Sequence, residues 1–349
     1  MGTQAPVRVL HVIESYGSGS LTAAVQYVRS SPELEHHLLR RVREDYVPFG
    51  EEALFASIAE LPASRVRSVG TVRARVRALA PDVVHAHSSF AGLFTRLAVR
   101  AGRSARVVYT PHCFVFERTD LPSPVRRLYR LVEWLLAANT SVVAGCSPGE
   151  AHTARRWRTC RAALHLPHVV EPAPPATTGP PAEGPPVVVS LGRVSPQKDP
   201  GFLVATVDEL RQRTAQDVRA LWIGGGEAAA VARLEEAGVR VTGWVSRDRV
   251  PELLSSAHLY LHTAAWEGFP MSVVEAHQAG LPIVVRDIAP FRHLPTTVRA
   301  REPRELAALA RRTLEGDGAA TNRSLWERAL AGHTVAAQRA RLLEAYDLG

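Results

Sequence analysis

Trp266-Glu267-Gly268-Phe269-Pro270-Met271-Ser272-Val273-Val274-Glu275-Ala276 follows an apolar run, Ala257-His258-Leu259-Tyr260-Leu261-His262, that reads as a buried strand. The stretch predicts a strand, a short turn and a helix entered near Met271. Pro270 suits a helix start, where its missing N–H would have had no intrahelical partner. The free amides of Met271 and Ser272 then favour an anion in front of the helix. Glu267 stands before the helix, and Glu275 lies about a turn inside it, within reach of polar groups attached to that anion. A phosphate on the amides beside hydroxyls on a carboxylate is what a nucleotide sugar presents. The competing reading is a surface loop with two solvated glutamates.

A second stretch lies upstream, Val187-Val188-Val189-Ser190-Leu191-Gly192-Arg193-Val194-Ser195-Pro196-Gln197-Lys198-Asp199. An apolar strand is followed by a turn that carries Arg193 and Lys198 at a spacing suited to one site. Lys198 is the sole lysine among 42 Lys+Arg residues. A lysine ammonium is compact and rotatable, and it fits where a planar guanidinium fork does not.

Together the two stretches resemble the family-4 retaining glycosyltransferases of the GT-B fold. Glu267-Gly268-Phe269-Pro270 with Glu275 looks like the family's Glu-x7-Glu signature, and Arg193 with Lys198 like its diphosphate pair. The resemblance implies an α/β chain of two doubly wound Rossmann-like domains facing a central cleft. It also implies roles. Glu275 would hold the ribose hydroxyls, and Glu267, Gly268 and Phe269 would lie by the transferred sugar. Arg193, Lys198 and the amides of Met271 and Ser272 would meet the donor diphosphate.

The rest of the composition fits an enzyme of this size. A chain of 349 residues suits two domains. Hydrophobic and charged contents of 46% and 22% are those of a globular protein. Cys113, Cys146 and Cys160 have no metal-ligand spacing and point to a reducing compartment. The N-terminus shows no signal segment and no apolar run approaches about 20 residues, so a cytoplasmic location is expected. The net charge of +8 is uneven. Residues 1–170 carry 22 arginines against 13 acids, whereas residues 171–349 carry 20 basic residues against 21 acids. A basic first half suits an acidic ligand or an anionic lipid surface. Nucleic acid is excluded as a partner, since no zinc, helix-turn-helix or RNP-like pattern is present.

Along residues 1–170 strand-like and helix-like segments alternate. Val7–Ile13 reads as a strand, followed by a loop with Gly17 and Gly19 and then a helix to about Ser30. The loop lacks G-x-G-x-x-G, so dinucleotide binding is not supported. By the resemblance, Gly17 and Gly19 approach the donor phosphate, although the family's usual Gly-Gly pair is replaced by Gly17-Ser18-Gly19. Asp82–His87 is a strand, and the hydroxyls of Ser88 and Ser89 suit the cap of the next helix. The resemblance places this strand end, with His87 and Ser89, on the acceptor side. His112 follows the strand 106–110 and could be a general base, a hydrogen-bond donor or a structural loop residue; relatives carry a histidine there beside the reacting sugar. Residues 123–138 form an amphipathic helix in which Val125, Leu128, Tyr129, Val132, Leu135 and Leu136 are expected to face the core, with Arg126, Arg127 and Arg130 on the other side.

Residues 171–186 read as a Pro-rich interdomain linker. A second alternation occupies 187–330, and 331–349 is expected to form a helix that crosses back to the first domain. Gly224 and Gly225 end a strand where backbone can approach the nucleoside, and Trp244 and Val245 resemble the family's base-reading loop.

The expected reaction is transfer of a sugar from a nucleotide-diphosphate donor to an acceptor hydroxyl, with retention and without metal or cofactor. No Asp-x-Asp motif is present. The acceptor is read as a lipid-linked glycan or a small molecule, with peripheral contact at the inner membrane surface as an accompanying expectation. A GT-B nucleotide-sugar epimerase and a non-catalytic nucleotide-sugar-binding subunit are the alternatives.

Overall fold

The computed structural model describes residues 5–17, 19–43, 46, 50–171, 184–214 and 217–349. Most of the Pro-rich segment therefore lies outside the described residues. The chain divides into two units, residues 1–169 with 332–349, and residues 170–331.

The first unit contains β1 (Arg8–Tyr16), α1 (Gly19–Ser30), β2 (Glu35–Val42), β3 (Ser57–Glu60), α2 (Arg65–Leu79), β4 (Val83–His87) and α3 (Ser89–Ala98). It continues with β5 (Arg106–Thr110), α4 (Ser123–Ala137), β6 (Val142–Gly145), α5 (Pro148–Arg155) and β7 (Ala163–His165). The strands form a parallel sheet in the order β3-β2-β1-β4-β5-β6-β7. Alternation along β1 divides its side chains between two layers. Leu10 and Val12 pack with Val72, Val76, Ala91 and Phe94. Val9 packs on the opposite face with Tyr27, Leu342, Ala345 and Tyr346. The last three belong to the C-terminal helix (Val335–Tyr346), so that helix completes this unit's core.

The second unit contains β8 (Val187–Leu191), α6 (Pro200–Arg213), β9 (Arg219–Ile223), α7 (Ala228–Glu236), β10 (Val239–Val241), α8 (Arg249–Ser255) and β11 (Leu259–His262). Then come α9 (Met271–Gln278), β12 (Ile283–Arg286), β13 (Arg299–Ala300), α10 (Pro303–Leu314) and α11 (Gly318–Leu330). Its parallel sheet has the order β10-β9-β8-β11-β12-β13. Val188, Trp222, Leu259 and Leu261 from the strands pack with Leu203, Val207, Leu306 and Ala310 from α6 and α10. Each sheet reverses strand order once, between β1 and β4 and between β8 and β11. Connections leave a reversal in opposite directions, which opens a crevice at the strands' carboxyl ends.

Two sequence expectations are corrected. The helix read at 123–138 forms as α4, but the apolar face read for it is split: Tyr129, Val132 and Leu136 are half-buried, with Tyr129 packed on the core, whereas the others turn outward. Val125, Leu128, Leu131, Trp134 and Leu135 are exposed, and Leu128 at 60% leaves most of its side chain in solvent. The reason lies in what holds the inward side. Glu133 is buried, accepts from Tyr109 Oη at 2.9 Å and pairs with the fully buried Arg96 at 2.9 Å. Arg126 Nε donates to the Phe116 carbonyl at 2.8 Å, and the Arg130 guanidinium lies 4.7 Å from the Phe116 ring centroid. Glu133 and Arg126 are thus drawn inward, whereas Arg127 and Arg130 stay exposed, Arg130 lying over the Phe116 ring with 60% of its side chain in solvent. Ser88 does not cap α3 through its side chain. At φ 77° its hydroxyl instead points to Glu14 Oε1 at 3.4 Å.

Candidate functional site

At the second unit's reversal, two loops are pinned together. Thr263 Oγ1 donates to the Lys198 carbonyl at 3.0 Å, and the Ala265 amide donates to the Gln197 carbonyl at 2.8 Å. Gln197 Nε2 adds a bond to the Trp266 carbonyl at 3.2 Å. These contacts carry Lys198, which follows β8, to Glu267, which follows β11, and Lys198 Nζ lies 2.6 Å from Glu267 Oε1. Gly192 makes room for this lysine. A Cβ at Gly192 would stand 2.8 Å from Lys198 Cε, and the residue's φ of 140° disfavours any side chain. Asp199 anchors the loop's far end, accepting from the Phe202 amide at 3.2 Å and pairing with Arg286 at 2.6 Å. Arg193 is half-buried just past β8.

Met271 and Ser272 are the first two residues of α9, so their amides have no acceptor within the helix. The Ser272 hydroxyl is buried and accepts from Tyr260 Oη at 2.8 Å. Burial raises the Glu275 carboxyl above its ordinary value, and Arg247 and then Lys198 oppose the rise. Arg247 was not singled out in the sequence, where one more arginine among 41 carries no signal. Phe269 is buried, with its ring 6.0 Å from that of Phe291, so its side chain packs inward and is not presented to a ligand.

The glycines after β9 are required by the loops around them. A Cβ at Gly224 would lie 2.3 Å from the Gly192 carbonyl oxygen, and one at Gly226 2.4 Å from that of Val194. A Cβ at Gly225 would meet the Trp244 indole at 2.9 Å. Trp244 is 68% exposed, which leaves its ring available to a flat ligand, and Val245 beside it is half-buried.

The first unit gathers histidines. Parallel register puts His11 opposite His85, Ile13 opposite His87 and Val9 opposite His36, so these imidazoles share one face of the sheet. His87 is fully buried, with His11 Nδ1 3.0 Å from its Nε2 and His112 Nε2 3.1 Å from its Nδ1. Both ring nitrogens are engaged, which corrects the placement of His87 as an acceptor contact. Ser89 is half-buried, with its hydroxyl 3.5 Å from Tyr109 Oη. Gly17 takes φ 135° beyond β1, and Gly19 opens α1 in an exposed position.

His112 and Cys113 both have positive φ, 53° and 110°, a conformation that costs side-chain-bearing residues energy. Glu150 holds this turn. Its Oε1 accepts from the Cys113 amide at 2.8 Å, and its Oε2 accepts from the Cys146 amide at 2.9 Å and thiol at 3.1 Å. Burial raises the Glu150 carboxyl to about 7. Sequence reasoning missed Glu150, His11 and His36. The available signal was His11 in the middle of the apolar run Val9–Ile13; Glu150 on α5 and His36 in the polar-rich β2 carried none.

Two clusters bring potential metal donors within 4.8 Å of one another, His11 with His85 and His87, and His112 with Cys146 and His168. In the first, every ring nitrogen already meets a partner, His85 through Tyr346 Oη and Thr110 Oγ1 at 2.8 Å each. In the second, the thiol donates to Glu150. Neither is a preformed cage.

The glycosyl transferase 4-like domain profile matches residues 7–168, and the profile for glycosyl transferases group 1 matches residues 185–315. The UDP-Gal:α-D-GlcNAc-diphosphoundecaprenol α-1,3-galactosyltransferase of Escherichia coli is 27% identical over 233 residues, 59% of this chain and 58% of that enzyme's length. Among solved structures, Anabaena HepE in complex with UDP and glucose superimposes with a TM-score of 0.75 at 18% identity, covering 98% of this chain and 99% of that one. Sucrose-phosphate synthase from Thermosynechococcus elongatus also gives 0.75, at 17% identity, covering 97% and 98%. The two parallel sheets are those of the GT-B fold. The matched profiles account for most of the chain, which belongs to the family-4 glycosyltransferases of the GT-B fold.

Proposed function

We propose that this protein transfers a sugar from a nucleotide-diphosphate donor to an acceptor hydroxyl, with retention of anomeric configuration and without a metal ion. The carrying observation is the cluster at the β8/β11 reversal, where Lys198 lies 2.6 Å from Glu267 and α9 opens nearby with two uncommitted amides. Arg193, Lys198 and those amides supply positive potential for a diphosphate leaving group, the task that a divalent cation performs elsewhere. In this reading the anomeric bond to the diphosphate breaks while the acceptor oxygen bonds on the same face, and the acceptor's proton passes to the departing phosphate oxygen. Glu275 holds ribose, Trp244 offers a face to the base, and His112 accepts a sugar hydroxyl.

The Escherichia coli relative is named for a UDP-galactose donor, and HepE was crystallised with UDP and glucose, so UDP-sugars are the first donors to try. Incubation with a panel of nucleotide sugars, followed by measurement of released nucleotide, tests the reading. Release from one donor, dependent on Lys198, is expected. No release from any donor with any acceptor fraction would refute it.

A lipid-linked acceptor at a membrane surface is the finer reading, and α4 supports it. Its outward apolar residues and Trp134, with Arg127 on their flank, match a helix that lies in the interface of an anionic bilayer. No helix among the described residues is long and apolar enough to cross a membrane. The relative acts, by its name, on a diphosphoundecaprenol-linked sugar. Anionic glycerophospholipid vesicles should therefore pellet the protein in a salt-sensitive manner.

A further inference from the structure

Four imidazoles in the first unit stand in single file. His36 Nε2 lies 3.0 Å from the Ser31 carbonyl, His36 Nδ1 3.0 Å from His11 Nε2, His11 Nδ1 3.0 Å from His87 Nε2, and His87 Nδ1 3.1 Å from His112 Nε2. A carbonyl oxygen only accepts, so His36 must carry its proton on Nε2. The Ser31 hydroxyl does not compete, because it donates to the Tyr27 carbonyl at 2.8 Å. A neutral imidazole has one N–H, which leaves His36 Nδ1 bare. Every following ring must then donate from Nε2 and accept at Nδ1. Burial lowers all four below the ordinary histidine value, in keeping with neutral rings.

The file ends on His112 Nδ1, which is buried and has no hydrogen-bond partner among the described residues. We propose that the Ser31 carbonyl, through His36, His11 and His87, locks His112 in the Nε2–H tautomer, so that its bare Nδ1 recognises a hydroxyl and rejects groups that only accept. His36, His11 and His87 are thereby positioning residues. The file is a lock rather than a proton conduit, because its inner end is an amide oxygen that cannot take up a proton and pass it on. His85 stacks on His87 at 4.2 Å but is tied to Tyr346 and Thr110, and His168 stacks on His112 at 5.5 Å, so neither interrupts the sequence of bonds. That the hydroxyl belongs to the transferred sugar rests on the function proposed above.

Long-range proton–nitrogen NMR of histidine-labelled protein at neutral pH reads the tautomers directly. The wild type should show Nε2–H at His36, His11, His87 and His112. His36→Asn keeps an acceptor oxygen where Nδ1 stood and should leave His112 unchanged. His36→Leu removes that acceptor and should spread His112 over both tautomers. With it, turnover should fall by the fraction of His112 that leaves the Nε2–H form, about twofold at equal populations, at unchanged nucleoside diphosphate affinity. An Nδ1–H His112 in the wild type overturns the proposal, as does a purely Nε2–H His112 in His36→Leu. Should His36→Leu not fold, the wild type and His36→Asn still decide. The expected tautomers without any transferase turnover would refute the reaction and leave the lock standing. Turnover with an Nδ1–H His112 would refute the lock alone.

Discussion

Lys198 Nζ and Glu267 Oε1 lie 2.6 Å apart, although their loops follow different strands of the second sheet. Side-chain exposures of 19% and 12% make this a half-shielded pair rather than a solvent-screened surface contact. In the proposed reaction, a diphosphate arriving at Lys198 meets a cation already committed to a carboxylate. The donor must share or displace that contact.

This sharing makes the two members of the pair behave oppositely. Lys198→Ala should weaken nucleoside diphosphate binding by ~1.5–3 kcal/mol, the worth of one charge-assisted contact. Glu267→Gln should tighten the same binding while lowering turnover, because repulsion is removed and the sugar contact is lost. Calorimetry with the free nucleotide and a turnover assay compare them. Equal weakening in both variants would show that Glu267 serves the nucleotide rather than the sugar.

Glu275 should act on ribose. Its replacement by alanine is expected to cost ~1–3 kcal/mol of nucleotide binding. A dideoxynucleotide should suffer the same loss with the wild type and almost no further loss with Glu275→Ala, which is the signature of one shared interaction. Additive losses in that cycle would place the ribose elsewhere.

Stability should fall on acidification. His85 is held to about 3 by burial and the nearby His36, and burial also lowers His11, His36, His87 and His112. Unfolded histidines take up protons near 6.5. Each buried ring thus contributes stability that is complete above about pH 6.5 and is lost as pH falls from there toward its folded value, by up to ~1.4 kcal/mol per pH unit. Glu150, raised to about 7, works in the opposite sense, losing its contribution as pH rises from about 4.5 to 7. Five imidazoles outweigh that one carboxyl. Urea unfolding at pH 7.5 and 5.5 should show a clearly lower midpoint at 5.5, and equal midpoints would mean that the rings are not held neutral.

The outward face of α4 gives a surface prediction. Leu128→Ser with Leu135→Ser should leave the thermal transition nearly unchanged, since both side chains are more than half exposed. The same pair should abolish sedimentation with anionic vesicles at low salt. Undiminished sedimentation would move the contact elsewhere, and wild-type protein that pellets with no vesicle would favour a small soluble acceptor.

If Arg193, Lys198 and the α9 amides carry the charge compensation as proposed, excess chelator should leave turnover within about twofold of the untreated enzyme. Abolished activity restored by magnesium or manganese would show a metal at the diphosphate. Restoration by zinc alone would point to the donors of His112, Cys146 and His168.

The family and the fold class were legible in two stretches. Glu267 to Glu275 joins a helix start to paired carboxylates, and Arg193 to Lys198 joins cations to a strand end. Such features are local, because helix entry, turn chemistry and short-range spacing depend on neighbours in the chain. The orientation of α4 was only partly legible, since Tyr129, Val132 and Leu136 turn inward as read and Val125, Leu128 and Leu135 do not. Its pattern identifies a helix with an apolar face, but which face turns inward depends on Arg96, Tyr109 and Phe116, which lie elsewhere in the sequence. An apolar stripe acquires an inside or an outside only once its surroundings exist.

The sequence by itself determined the alternation of strands and helices, the helix beginning at Met271 and the placement of one lysine after β8. Tertiary structure alone decided what those residues meet. Pairing of β8 with β11 brings Lys198 to Glu267, and the register of β2, β1 and β4 lines up His36, His11 and His87 behind His112. A strand's sequence specifies which side chains share a face, but the partner strand and its register specify which of them touch. Parallel neighbours here come from segments tens of residues apart, so that information resides in the assembled sheet.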